Sequence, residues 1–197
     1  MISDSAIIEE GADVADSAQV WHRSHVREGT VIGANTIIGS DVYLGPGVQV
    51  GSDCKIQNAA QVYQPARLGR GVFIGPGVIL TNDRAPRAVT PSFAIKKVVD
   101  WQEVGVVLQD GASVGANAVC VAPVTIGKWA MVGAGAVVTD NVPDYALVVG
   151  SPAKQIGWVG RAGVRLIRDE ATEGRWICPT TSENYVLKTG YQMVLLT

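Results

Sequence analysis

Written in sixes from Ala6, the chain reads AIIEEG ADVADS AQVWHR SHVREG TVIGAN TIIGSD VYLGPG VQVGSD CKIQNA AQVYQP ARLGRG VFIGPG VILTND. The third place of each six is Ile8, Val14, Val20, Val26, Ile32, Ile38, Leu44, Val50, Ile56, Val62, Leu68, Ile74 and Leu80. Thirteen slots hold thirteen aliphatics. If roughly a quarter of residues are aliphatic, chance gives such a run about once in tens of millions. The first place is small throughout, and glycine often follows the aliphatic, as at Gly33, Gly39, Gly45, Gly51, Gly69 and Gly75. A period of six is neither helical nor a plain strand alternation. It fits an all-β solenoid in which each six makes one short flat strand and one corner. The aliphatic points inward, the small residue fits beside it, and Gly, Asn and Asp take corners with unusual φ/ψ. An antiparallel sandwich of short strands has no reason to keep one fixed period all the way from Ala6 to Asp83.

The beat stops at Thr81-Asn82-Asp83-Arg84 and resumes as VVLQDG ASVGAN AVCVAP VTIGKW AMVGAG AVVTDN, with Leu108, Val114, Cys120, Ile126, Val132 and Val138 inward. The step from Leu80 to Leu108 is not a multiple of six. Residues 82 to about 105 therefore leave the coil and return. The chain divides into a β-helix over 1–150 carrying this inserted loop, and a C-terminal segment over 151–197. That segment has helical character to about Arg168, and then RWICP and NYVLKTGYQMVLL predict a β-hairpin. The insertion carries Phe93, Ile95, Val98, Val99 and Trp101, more apolar groups than a free surface loop holds, so they pack on a neighbour or a ligand.

Composition narrows the function. Hydrophobic residues make up 47% and charged residues 17%, low in charge for a monomer, so part of the surface faces a partner chain. The net charge of -2 gives no case for nucleic acid or an anionic membrane. The N-terminus has no apolar core of signal-peptide length and no apolar run approaches a membrane span, so a cytoplasmic location is expected. Cys54, Cys120 and Cys178 are far apart and suggest neither a disulfide framework nor a zinc site.

Several stretches resemble a known family. The hexapeptide repeat is similar to that of the left-handed β-helix acyltransferases. More narrowly, VWHRSHV (20–26), KIQNAAQVYQ (55–64), GPGVILTNDRAPRA (75–88), the block from Gly111 to Trp158 and CPTTSENYVL (178–187) resemble N-acetyltransferases that act on 3-amino nucleotide sugars in bacterial surface-polysaccharide synthesis. The resemblance implies a left-handed helix, acetyl-CoA as cosubstrate, no metal, and a homotrimer with sites between neighbouring chains. It places Asn82 at the point of acetyl transfer, hydrogen-bonded to the acceptor amine or the developing oxyanion. The residue-level alternative is that Asn82 only turns a corner, since Asn tolerates the left-handed region. Arg87, in APR, is the nearest match to the family's NPR, and Arg84 is a second candidate for holding a phosphate or sugar carboxylate. Gln57, Asn58, Tyr63 and Gln64 form a sugar or base wall, or else an Asn/Gln ladder. Gln64 stands where relatives often carry an acid. For CoA, Lys154 is placed near the adenosine phosphates, Ile156 or Trp158 over the adenine, and corner amides such as Ala112 and Ala130 along the pantetheine.

Only two histidines occur, His22 and His25, and none follows residue 25. They are corner polar residues or lie near the nucleotide sugar. A hydroxyl acceptor needs a base, whereas a neutral amine attacks a thioester with little help, so the missing loop histidine favours N-acetylation. The acceptor this reading selects is UDP-linked 2-acetamido-3-amino-2,3-dideoxy-glucuronate. The alternatives are a dTDP-3-amino-deoxyhexose, a 4-amino nucleotide sugar or a hydroxylated small molecule, and, in another class, a non-catalytic scaffold. A zinc-dependent carbonic anhydrase on this fold needs three histidines, which the chain lacks.

Overall fold

The chain forms a left-handed parallel β-helix in the computed structural model, which describes residues 1–188 and 192–196. Each inward aliphatic and the residue before it make a two-residue strand, as in Ile7–Ile8, His25–Val26 and Tyr43–Leu44. Each strand stacks on the third strand after it: Ile8 faces Val26, Val14 faces Ile32, and Val20 faces Ile38. Three six-residue units thus close one coil, and the coils build three flat faces of seven, six and seven strands, the third extended by one antiparallel strand, Lys154–Trp158. The first face carries Ile8, Val26, Leu44, Val62, Leu80, Cys120 and Val138 inward, and the second begins at Val14 and the third at Val20.

From Val20 to Val138 no inward residue of the repeat is more than 4% exposed. Burial of each such side chain contributes roughly 1.5–3 kcal/mol, and this stack outweighs the few surface ion pairs as the source of stability. Ile8 and Val14 are only half-buried because no coil covers their N-terminal side. The small first place carries the buried hydroxyls of Ser24, Thr30 and Thr36, which would be costly inside if unpaired. Ser24 Oγ donates to Gly39 O, Thr30 Oγ1 to Gly45 O at 2.9 Å and Thr36 Oγ1 to Gly51 O at 2.8 Å. Cys54 and Cys120 are buried, free thiols of the interior, and burial pushes the Cys120 thiol up to about 12.

Across the break, Leu80 faces Cys120 and Leu68 faces Leu108. Both pairs lie much further apart in sequence than Ile8 and Val26, so the excursion lengthens one coil without shifting the register. Its neck closes where Val104 N donates to Asn82 O at 3.4 Å, and within it Val98–Asp100 makes one 3-10 turn.

The expected helix to about Arg168 does not form. Lys154–Trp158 runs back antiparallel on Ala146–Val149, and Val159 bridges Arg165 around a turn at Gly163, whose φ of +73 favours glycine. Ile167–Arg168 then opens an antiparallel sheet completed by Arg175–Ile177, Asn184–Lys188 and Gln192–Leu196. Val164 and Leu166 turn inward while Arg165 and Ile167 stay exposed. That alternation is the period of a strand and overrides the helical composition. Arg175–Ile177 on Asn184–Lys188 is the expected hairpin, and the second run folds again to pair Asn184–Lys188 with Gln192–Leu196, its connecting residues 189–191 lying outside the described residues.

This sheet is fastened to the β-helix by Tyr185, which is fully buried. Its hydroxyl donates to Glu183 Oε2 at 2.8 Å and accepts from Arg161 N at 3.0 Å. Its ring meets Tyr145 at 5.4 Å, and Arg161 Nε donates to Glu183 Oε1 at 3.0 Å. Truncating a buried aromatic costs roughly 3–5 kcal/mol. Tyr185→Ala is expected to lower the urea midpoint at fixed protein concentration by a correspondingly large step, and Tyr185→Phe by a much smaller one.

Candidate active site

The first face lies between two corners. On one edge the chain turns from the third face to the first, at residues 21–24, 39–42 and 57–60. On the other it turns from the first face to the second, at 9–12, 27–30, 45–48, 63–66 and then the excursion. Register carries Gln61 to Ile79 and Val62 to Leu80, so Tyr63 and Gln64 stand one coil from Thr81 and Asn82 on this second edge. The coils are roughly 4.8 Å apart. The structure therefore brings Tyr63, Gln64 and Asn82 into one column.

Asn82 is half-buried at the start of the excursion. It is not among the residues with positive φ, unlike Asn35 at 59° and Asn117 at 56°. The corner therefore does not require the left-handed tolerance of asparagine, and any L-residue can adopt this backbone. Its side-chain amide makes no hydrogen bond to the described residues. Beside it, Thr81 is spent on structure, with Oγ1 accepting from Ala122 N at 2.9 Å.

An aromatic column leads away from Tyr63 along the first face. Tyr63 meets Tyr43 at 5.4 Å between centroids, and Tyr43 meets His25 at 5.8 Å, edge-on. His25 Nε2 lies 2.6 Å from Glu9 Oε1, and Arg27 Nε lies 2.7 Å from the same oxygen. Hydrogen bonding to Glu28, then to Arg27 and His25, holds the Glu9 carboxyl well below its usual range, at about 2. A depressed carboxylate lends stability that is fully present above its unfolded value of 4.5 and is lost progressively as the pH falls from there through about 2. Tyr43 was missed in the sequence. The signal was available, since it stands one coil after His25 in the same outward slot.

His22, Gln57 and Asn58 sit on the opposite edge of this face. His22 Nδ1 is 2.7 Å from Ser3 Oγ, and Asn58 Oδ1 accepts from Ser40 N at 2.9 Å, which makes Asn58 a rung of a corner ladder. Arg84 and Arg87 are both exposed, but only Arg84 lines a cavity of about 300 Å³, with Asp83, Lys96, Asp100, Trp101 and Val104. Arg87 turns back on its own chain, with Nη1 donating to Pro86 O at 3.1 Å. Lys96, absent from the sequence reading, adds a second cation to that cavity. No periodic slot marks it, because the excursion does not repeat.

The residues expected along CoA sit elsewhere on the prism, and two expectations need correction. Trp158 is 5% exposed and belongs to the core, so it offers no face to an adenine. Ile156, at 44% exposure, and the exposed Lys154 remain on the surface of the same strand. Ala112 and Ala130 are fully buried, and their amides already donate to Gln109 O at 3.1 Å and Gly127 O at 3.2 Å. They have no proton to give a pantetheine. Both precede the third face, whereas Asn82 follows the first, so one chain does not bring the two groups together. Among the described residues no cluster of three or more His, Cys, Asp and Glu has a geometry suited to a metal, and no helix is long and apolar enough to cross a membrane.

Comparison with known proteins agrees with the repeat. Residues 47–82 match the bacterial transferase hexapeptide model of six repeats, and residues 29–64 and 103–140 match the hexapeptide repeat of succinyl-transferase. The dTDP-3-amino-3,6-dideoxy-alpha-D-galactopyranose 3-N-acetyltransferase of Aneurinibacillus thermoaerophilus is 57% identical over 53 residues, which are 27% of this chain and 28% of that protein. The match to the bifunctional protein GlmU of Thermotoga maritima is 51% over 55 residues, 26% of this chain and 12% of that one. The chain thus matches under a third of the length of these curated relatives. Among solved structures, a hexapeptide transferase family protein from Anaplasma phagocytophilum shares the fold at 20% identity, with a TM-score of 0.54 over 80% of this chain and 81% of that one. WeeI from Acinetobacter baumannii does so at 22% identity, with a TM-score of 0.52 over 77% and 57%. The six-residue beat on either side of the excursion and the parallel solenoid it builds are what this chain shares with the hexapeptide-repeat transferases.

Proposed function

We propose that the chain is an acetyl-CoA-dependent N-acetyltransferase that acylates the 3-amino group of a nucleotide-linked sugar in bacterial surface-polysaccharide synthesis in the cytoplasm. The observation that carries this reading is the column of Tyr63, Gln64 and Asn82 at the break in the repeat, in a chain with no histidine after residue 25. The local similarity to an acetyltransferase of a dTDP-3-amino sugar supports it. The amine attacks the thioester carbonyl directly, forming the amide C–N bond while the C–S bond breaks and CoA leaves as thiol. Asn82 orients the amine or donates to the tetrahedral oxyanion, and positioning supplies most of the rate. The aromatic column from Tyr63 to His25 provides a wall for sugar and base. No metal takes part in this reading.

The acceptor site and the CoA-side residues lie on different corners of one prism, so a complete site needs a neighbouring chain. Phe93, Ile95, Val98 and Val99 of the excursion are 87, 74, 84 and 88% exposed, which fits a loop that packs on a second copy. A homotrimer with three sites between chains meets both needs, because cyclic symmetry closes the assembly. Ile156 and Lys154 then serve CoA, with the 1–150 helix and the 151–197 segment as its two working parts.

Two acceptors remain in play, each with its own support. In the cavity that Arg84 and Lys96 share with Asp83 and Asp100, the two acids accept the backbone amides of Ala85 and Lys97, which leaves Arg84 and Lys96 as partners for the carboxylate of UDP-2-acetamido-3-amino-2,3-dideoxy-glucuronate. The similarity to the dTDP-sugar enzyme favours a dTDP-3-amino-deoxyhexose. Thiol release from acetyl-CoA with each sugar separates them. Turnover of the UDP-uronate, with an Arg84→Gln variant that raises its KM about tenfold or more and leaves the acetyl-CoA KM alone, supports the first. Turnover confined to the dTDP-deoxysugar removes the carboxylate partner and keeps the chemistry. Release with neither sugar overturns the proposal.

A further inference from the structure

The corners of this β-helix are tied up the stack in one repeated way. Asn58 Oδ1 lies over Gly39 and accepts the amide of Ser40 at 2.9 Å. Asp110 Oδ1 lies over Gly69 and accepts the amide of Arg70 at 2.8 Å. Asp144 Oδ1 lies over Gly127 and accepts the amide of Lys128 at 2.7 Å. In each case the acceptor occupies the space a side chain on the glycine would need, and the donor is the residue after that glycine. Gln64 repeats the arrangement over Gly45, with Oε1 only 2.6 Å from where a Cβ on Gly45 would lie. The residue after Gly45 is Pro46, which has no N–H to give. Gln64 Oε1 is accordingly buried and without a hydrogen-bond partner. The other Gly-Pro-Gly corner, residues 75–77, carries no such conflict, because Ala116 stands over Gly75 with no acceptor to orphan.

Buried polar atoms are nearly always paired, and an unpaired one calls for a reason. Here the orphan stands one coil from Asn82 in the same column. Resting on the function proposed above, we propose that Gln64 is a positioning residue for the acceptor amine, kept free for that task by Pro46. Its carboxamide turns out of the notch over Gly45 when substrate arrives and accepts an N–H of the sugar amine beside Asn82. Leaving the notch breaks no hydrogen bond, so the whole of the new bond favours the bound state. A neutral oxygen also suits the chemistry. It accepts from an uncharged amine without the pull toward ammonium that a carboxylate exerts, so the nitrogen keeps its lone pair for the thioester.

Pro46→Ser restores a backbone donor under Gln64 and tests the idea as a double-mutant cycle with Gln64→Leu, which keeps volume and removes the acceptor. Without substrate, Pro46→Ser is expected to raise the urea midpoint relative to the same change made in the Gln64→Leu background. The comparison cancels the effect of proline on the unfolded chain. With the 3-amino sugar that the parent turns over, Pro46→Ser is expected to raise the KM for that sugar about fivefold, leave the acetyl-CoA KM unchanged, and have no effect in the Gln64→Leu background. An unchanged sugar KM, or the same change in both backgrounds, overturns the positioning role. If the parent acetylates neither sugar, the proposed function falls and this role with it. The stability cycle, which needs no substrate, still reports whether Pro46 is what leaves Gln64 unpaired.

Discussion

Asn82→Ala is expected to lower kcat by about 10²–10³-fold, the loss typical of removing one donor aimed at a developing oxyanion. The acetyl-CoA KM and the circular dichroism spectrum should stay those of the parent. The fold should survive because Asn82 has an ordinary backbone conformation and only its carbonyl, which alanine keeps, ties the neck of the excursion to Val104. Asn82→Asp is the informative companion. A carboxylate there removes the donor and favours the ammonium form of the amine, so its residual activity should rise with pH as the amine is forced neutral. An Asn82→Ala enzyme within threefold of the parent would return Asn82 to the role of a corner residue.

Replacing Phe93, Val98 and Val99 together by serine is expected to convert the protein to a monomer by light scattering, and to remove at least about 99% of its activity while the monomer stays folded. These side chains are 84 to 88% exposed on one chain. If an interface buries them, each contributes roughly 1.5–3 kcal/mol, so three together account for about 5 kcal/mol or more per loop. An unchanged oligomer with full activity would show that the excursion neither joins the chains nor completes the site.

The inward slots and the three-unit coil are legible because every slot repeats the same physical demand, an aliphatic beside a small residue. The same rule contained a warning about Ala112 and Ala130. Both occupy the small first place of their sixes, which is the interior, and the turn consumes their amides. The three-unit spacing makes the column of Tyr63, Gln64 and Asn82 readable, and it would also have supplied Tyr43. Where the repeat ends, legibility ends with it. Trp158 looks like an exposed aromatic beside Lys154, but it faces Ala146 across an antiparallel pairing that no local pattern announces. The stretch from Gly160 to Arg168 has the residue types of a helix, and two glycines with alternating burial make it extended. In the excursion, neither the separation of Arg84 from Arg87 nor the approach of Lys96 could be counted off, because no coil above or below dictates their place.

The excursion also bears on how such a chain can change. Its two ends rejoin the stack in register, so the coils on either side meet as if nothing had been inserted. Closing this longer coil rather than an ordinary one costs only about 0.7 kcal/mol more in chain entropy, because that cost grows with the logarithm of loop length. Between these two anchors the frame behaves as a socket whose register is set by the coils and whose closure depends only weakly on the length of what is plugged into it. On the function proposed above, exchanging residues 83–105 as a cassette is expected to alter acceptor preference, while Asn82, the stack of aliphatics and the edge bearing Tyr63 and Gln64 are inherited unchanged.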